Sequence, residues 1–273
     1  MVHPRLYLAA LLALFFISSS SAAELILSAP PRESREVAEK TYGPLAKYLT
    51  EQLGQPVAYR QPDSWSSYSA ALRKGEYDFV FDGPHFAAWR MTHLQHKPLV
   101  KLPGNLSFVV VTAASNDPIR KLTDLRGGSV CGMAPPNLAT NSILAEFGPV
   151  TSPDIVVVEG GYEDIAKAYD AHRCDAMILR DSYFNKLPED KRKKLKVVYT
   201  SPAYPNQTLT VGPRVPTDKL SKLASALVSE EGAKVCGEII SRFADKNAKS
   251  MVIAIAEEFK GDERLLEGVV WGW

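Results

Sequence analysis

Two arginines stand where chemistry is most easily placed, each just past an apolar stretch: Arg32 after residues 24–28 and Arg180 after residues 174–179. A guanidinium presents a planar fork of N–H donors that matches a carboxylate or phosphoryl group two bonds at a time. Either residue can clamp an anion, or pair with its sequence neighbour, Glu33 or Asp181. Trp65 offers a flat face that either stacks on a ligand or lies under a loop. Asp82 and Gly83 follow the apolar run 77–81, so Asp82 is either a carboxylate facing a crevice or the N-cap of a helix over 84–91. Asn137 and Thr140 bracket a helix start, where free backbone N–H groups and a positive dipole end suit oxygen atoms. Tyr204 and Asn206 either touch a ligand from one side or serve as turn residues around Pro205. His85 reads as a surface or capping residue.

Together these residues describe capture of a small molecule. No Gly-x-Ser-x-Gly nucleophile elbow and no Walker-type phosphate loop occurs in the chain. His93 and His96 have a spacing that can bind metal, but no Cys, Asp or Glu completes a set beside them, and two exposed histidines explain them better. An enzyme is not expected, nor is a cofactor or a metal.

The elements that must hold these residues alternate between strand and helix, which predicts an α/β fold of two lobes. Strand 24–28, a helix that Ser34 or a neighbour caps, helix 42–53, strand 57–60, helix 64–75 and strand 77–81 form the first unit. Leu45, Tyr48, Leu49 and Leu53 lie on one helical face, and Gly54 stops that helix. The β-branched run 108–113 reads as the first crossing between lobes. A second unit follows: strand 129–133, helix 140–147, strand 155–159, helix 162–172 and strand 175–179. Residues 208–211 read as the return crossing, with helices from Asp218 onward packing on the first lobe. The expected division is 24–112 with 208–273 as lobe one and 113–207 as lobe two, joined by a two-strand hinge. In open sheets of this kind the strand ends face the ligand crevice.

Composition fits an exported protein with balanced charge. Leu6–Ile17 is apolar and too short to span a bilayer, and Ser21-Ala22-Ala23 offers a cleavage site, so a removed signal peptide over residues 1–23 and a periplasmic location are expected. The mature chain would carry 31 basic and 31 acidic side chains, which gives no electrostatic reason to expect nucleic acid. A monomer is expected. Of three cysteines, Cys131 and Cys174 fall on strands expected to be neighbours and can bridge, with Cys236 left on a late helix; three free thiols are the alternative.

Several segments carry a family resemblance. Tyr42-Gly43-Pro44-Leu45-Ala46-Lys47-Tyr48-Leu49 followed by Leu53-Gly54, then Ala71-Leu72-Arg73-Lys74-Gly75 leading to Tyr77-Asp78 and Gly83-Pro84, resemble the phosphate/phosphite/phosphonate-type substrate-binding proteins of ABC transporters. Leu122-Thr123-Asp124-Leu125-Arg126-Gly127 is similar to the segment that opens that family's second lobe. The resemblance covers nearly all of the mature chain. It implies a type II periplasmic-binding fold, closure of two lobes on a ligand, and an ABC permease as partner. A membrane sensor kinase is the alternative partner, since the same fold serves sensing. The resemblance also marks departures. The family's Ser/Thr-rich anion loop reads Asn137-Leu138-Ala139-Thr140 here, Trp65 stands where the family carries a ligand-contacting tyrosine, and Asp82 replaces an aromatic position. These changes point to a small anionic or zwitterionic ligand, with Asp82 as a partner for an amine.

Overall fold

The computed structural model describes residues 23–148, 150–270 and 273. The expected signal peptide therefore lies, but for Ala23, outside the described residues. The elements run β1 (Leu25–Ser28), α1 (Arg35–Leu53), β2 (Val57–Tyr59), α2 (Trp65–Arg73), β3 (Phe79–Asp82), α3 (Pro84–His93), β4 (Lys97–Lys101), β5 (Asn105–Leu106) and β6 (Phe108–Ala113). They continue with β7 (Ser129–Gly132), α4 (Leu138–Leu144), β8 (Asp154–Val157), α5 (Tyr162–Asp170), β9 (Ala176–Arg180), α6 (Asp181–Asn185), α7 (Glu189–Arg192), β10 (Leu195–Thr200) and β11 (Tyr204–Pro205). Last come β12 (Thr208–Val211), α8 (Leu220–Val228), α9 (Glu230–Val235), α10 (Gly237–Phe243) and β13 (Val252–Ile253).

These strands build two mixed sheets, ordered β13-β4-β12-β3-β1-β2 and β10-β6-β9-β7-β8. The sequence suggested parallel sheets. The parallel pairs are there, β1 with β2 and β3 in one and β7 with β8 and β9 in the other. Antiparallel strands that arrive by return connections extend each sheet. The two runs expected to be crossings belong to the sheets: β6 sits inside the second and β12 inside the first. The chain passes between sheets on either side of the short antiparallel pair β5–β11, where Leu106 faces Tyr204 and Asn105 faces Pro205.

Local chemistry accounts for the helices that border the site. Helix α1 starts at Ser34, whose side chain accepts the Val37 N–H, and ends at Gly54 in the left-handed region at φ 68°. Its buried residues Ala38, Thr41, Tyr42, Leu45, Tyr48 and Leu49 recur at three and four and pack on β1, β3 and β12. Helix α2 opens with a reciprocal box in which Ser64 and Ser67 each bond the other's backbone N–H, so the orientation of Trp65, its first residue, is set by two caps. Helix α3 begins with Pro84 at its first position, where a missing N–H costs nothing.

The second lobe is cross-linked. Cys131 on β7 is bridged to Cys174, the residue two before β9, across Cα atoms 5.6 Å apart. Cys236 is buried and unbridged, and burial raises its thiol pKa to about 12, so it behaves as a small apolar residue.

Candidate functional site

A cavity of about 710 Å³ opens between the two sheets. One wall comes from the first sheet: Pro31 and Arg32 after β1, Trp65 at the start of α2, Gly83, His85 and Phe86 where β3 passes into α3, and Phe243 at the end of α10. The facing wall is the loop Met133–Ala139 after β7, the stretch Val158–Gly160 after β8, Tyr162, and Arg180 at the end of β9. Leu106, Phe108 and Gln207 close the hinge side. Strand ends contribute to both walls, as expected for open α/β sheets, with helix ends beside them.

The structure brings Arg32, Trp65, Gly83, Asn137 and Arg180 together on these walls. Arg32 is exposed; its Nη1 donates to Gln207 Oε1 at 3.1 Å and its guanidinium lies 5.7 Å from the Phe243 ring centre. Arg180 does not pair with Asp181, whose Oδ1 accepts the Ser182 N–H instead. Its Nε is buried and meets no hydrogen-bond acceptor, and no carboxylate lies within ion-pair distance among the described residues. A buried donor without a partner is costly, typically about 1–3 kcal/mol and more when charged. Tyr162 beside it has its pKa raised to about 12 by burial, against the opposing pull of Arg180.

The expected role of Asp82 is corrected by its surroundings. Its carboxylate is fully buried and does not face the cavity. Arg90 Nη1 and Nη2 reach its two oxygens at 2.6 and 2.7 Å, and the Tyr68 hydroxyl donates to it as well. Arg90 also donates to Thr210 Oγ1 at 2.8 Å, whose hydroxyl meets His96 Nδ1 at 3.2 Å. This is a closed network with no vacancy for an amine, and Asp82 does not cap α3, which begins without a side-chain cap.

Thr140 is likewise turned inward. It is buried, its Oγ1 donates to the Met133 carbonyl at 2.6 Å, and a side chain at Gly132 would meet that oxygen at 3.1 Å. Asn137 lines the cavity and caps α4, its Oδ1 accepting the Ala139 N–H at 2.9 Å, so that N–H is already used. Tyr204 and Asn206 belong to the hinge. The Tyr204 ring is buried in the second lobe's core, and Asn206 Nδ2 ties the two crossings by donating to the Pro103 carbonyl at 3.0 Å.

Residues missed from the sequence complete the site. His85, read as a surface or cap residue, is buried and lines the cavity; its Nε2–H donates across the cleft to the Pro136 carbonyl at 2.9 Å. Burial lowers its pKa to about 4, so the ring is neutral near pH 7. Glu159 is exposed, lines the cavity, and has no ion-pair partner among the described residues. It lies two residues past β8, as Arg180 closes β9, so the same strand-end rule pointed to it. The charged lining is thus two guanidiniums against one carboxylate.

The family model described as the periplasmic substrate-binding protein of the phosphonate ABC transporter matches residues 27–251. A Xanthomonas citri protein bound to ATP is similar in fold, at 15% identity and TM-score 0.68 over 91% of this chain and 97% of that one. PhnD1 of Prochlorococcus marinus, solved with methylphosphonate, superposes at 15% identity and TM-score 0.59, covering 89% and 96%. A binding-protein component of an ABC phosphonate transporter from Pseudomonas aeruginosa gives 14% identity and TM-score 0.54, covering 85% and 81%. No curated protein sequence matches.

Proposed function

This chain belongs to the periplasmic substrate-binding proteins of phosphonate ABC transporters, and we propose that its cleft captures a small anionic or zwitterionic ligand by closure of the two lobes. The observation that carries this reading is Arg180, a guanidinium at the cleft wall whose buried Nε has no acceptor. An oxyanion between the lobes supplies that acceptor, and Arg32 on the opposite wall supplies a second cation. Glu159 on the second lobe's wall is placed to take the cationic end of a zwitterion, a role that Asp82 cannot fill.

Closure follows from placing these groups on different lobes. A ligand that touches Arg32 and Arg180 at once binds the shut form better than the open one, and only that difference shifts the equilibrium. The His85–Pro136 hydrogen bond adds a protein contact to the shut form. Two solved proteins of this fold were captured with ATP and with methylphosphonate, phosphorus oxyanions of very different size. We carry over the shared anionic head and neither ligand as such. Binding proteins of this family deliver a ligand and do not transform it, and the partner is an ABC transporter. Export by a signal peptide cleaved near Ala23 and a lobe boundary at 207/208 are part of the same proposal, while the boundary expected at 112/113 moves ahead of β6, which pairs with β9 and β10 of the second sheet.

The test is a thermal-shift and calorimetric series on the chain from Glu24 with phosphate, methylphosphonate, 2-aminoethylphosphonate and acetate. A phosphorus oxyanion should raise the melting temperature by mass action, and Arg180→Ala should abolish the rise. Saturable binding that is indifferent to Arg180 would refute the assignment.

A further inference from the structure

The cleft is far larger than the small phosphonates it would have to grip, and its first-lobe wall is aromatic. At about 30 Å³ per water molecule, a cavity of about 710 Å³ holds on the order of two dozen waters, of which an anion the size of methylphosphonate would displace only a few. A ligand that leaves most of the cleft wet gives up most of the available burial.

Trp65 is the feature that needs a partner. It is 37% exposed although it lines the cavity, which makes it one of the few large apolar side chains left open to water. It is also held still: one face is stacked on Phe86 at 6.3 Å and 21°, its edge meets Tyr68 at 6.1 Å and 88°, and the Ser64–Ser67 box fixes the helix start that carries it. Phe86 beneath it is buried, so the pair is anchored in the lobe-one core. Beside the tryptophan the wall has Gly83, where a Cβ would strike the His85 ring at 2.8 Å, so no side chain projects there. An indole held against Phe86 and Tyr68 and still 37% exposed on the cavity wall offers ring surface to a second flat ring. The same cleft holds two cations, Arg180 on the facing lobe and Arg32 with its guanidinium 5.7 Å from the Phe243 ring centre.

Resting on the reading of the cleft as an anion site, we infer that the ligand is a phosphonate or phosphate ester whose anionic head meets Arg180 and whose body is a planar ring stacked on Trp65. This sets the ligand class apart from the alkylphosphonates: the head is shared, and the selectivity lies in the body. Stacking explains both the exposure of Trp65 and the excess volume, which an alkyl phosphonate leaves unexplained.

Calorimetric titration of the chain from Glu24 with phenylphosphonate, methylphosphonate, 2-aminoethylphosphonate and AMP tests it. Phenylphosphonate or AMP should bind at least about tenfold tighter than methylphosphonate, as a buried aromatic pair warrants. Trp65→Ala should remove that tenfold difference, bringing the ring-bearing ligands down to the affinity of methylphosphonate. Trp65→Leu, which keeps an apolar side chain but no ring face, should also lose the preference, whereas Trp65→Phe should keep most of it. Equal or tighter binding of the alkylphosphonates to the wild type would overturn the inference and leave the anion site standing. Equal losses for ring-bearing and alkyl ligands in Trp65→Leu would also overturn it. No binding of any of the four would overturn the anion reading and this inference with it.

Discussion

Asp262 should make the folded protein lose stability as pH rises, and one substitution should abolish that loss. The residue opens the short 3-10 turn Asp262–Leu265 and is buried, and its Oδ2 has no hydrogen-bond partner. Burial raises its pKa from 3.8 to about 7, with Arg264 pulling it down and Glu263 pushing it up. The sign follows from proton counting. Below pH 3.8 the carboxyl is protonated in both states and contributes no slope. Between 3.8 and about 7 the folded state keeps a proton that the unfolded state has released, so stability falls as pH rises. Above about 7 both forms are ionised and the full penalty is in place. Roughly three pH units at 1.36 kcal/mol each cap the effect near 4 kcal/mol, and screening at the turn's water-facing side reduces it to about 2–4 kcal/mol. His85 and His96 oppose this slope in the raw curve. Burial lowers their pKa values to about 4 and about 3, so their contribution to stability rises with pH up to about 6.5. The diagnostic quantity is therefore the difference between Asp262→Asn and wild type, from which the histidines cancel. Melting temperatures measured from pH 4 to pH 8.5 should coincide at the acid end, because Asn and protonated Asp have the same shape and charge. The variant should then gain roughly 4–12 °C by pH 8. Parallel curves, or a gap that widens towards acid, would refute the assignment of a buried, proton-holding carboxyl.

Three further outcomes follow from the same structure. Arg180→Ala should cut phosphonate affinity by more than thirtyfold in calorimetry while leaving the unliganded melting temperature unchanged or raised, because it removes a buried donor without an acceptor; a large loss of stability without ligand would mean that Arg180 is structural. Replacing Cys131 and Cys174 by alanine opens a 43-residue loop, which chain entropy values at about 4 kcal/mol, so the melting temperature should fall by roughly 10 °C and the wild type in reductant should match the variant. Leu265→Ala and Leu266→Ala should each cost about 2–5 kcal/mol. Hydrogen exchange should accelerate first in α4 for the former and in α2 and α3 for the latter, and the same pattern for both would contradict the packing of Leu265 in one lobe and Leu266 in the other.

The segment after β13 ties the lobes together at a third point. Leu265 and Leu266 are adjacent and both fully buried, yet Leu265 sits in the second lobe's core with Leu138, Ile143 and Tyr204, and Leu266 in a first-lobe cluster with Tyr68, Leu72 and Phe86. Asn141 on α4 fixes the join by donating to the Leu265 carbonyl at 2.9 Å. Consecutive residues in extended or 3-10 backbone point different ways, so a short strap can serve two cores at once. Any opening of the cleft must turn about this strap as well as about the two crossings.

Which parts of this were legible from sequence depends on the range of the interaction that decides them. Strand ends, helix caps and the alternation of elements are set within a few residues, and from them Arg32, Trp65, Gly83, Asn137 and Arg180 could be placed on the cleft walls. The Cys131–Cys174 bridge followed because it joins neighbouring strands of one unit. The strands added by return connections, β4 and β10 among them, were not assigned, since their partners are distant in sequence. Asp82 failed for a related reason, although a local signal was present. Along β3 the side chains alternate, so Phe79 and Phe81 face the core under α1, and Val80 faces the cluster of Tyr68 and Phe86. Asp82 shares the face of Val80 and must therefore point under α2 and α3, where Tyr68 and Arg90 wait for it. The strand-end rule selects a position and the period of two selects a direction; only residues that satisfy both reach the ligand, which is why the backbone at Gly83 lines the cleft and the carboxylate one residue earlier does not.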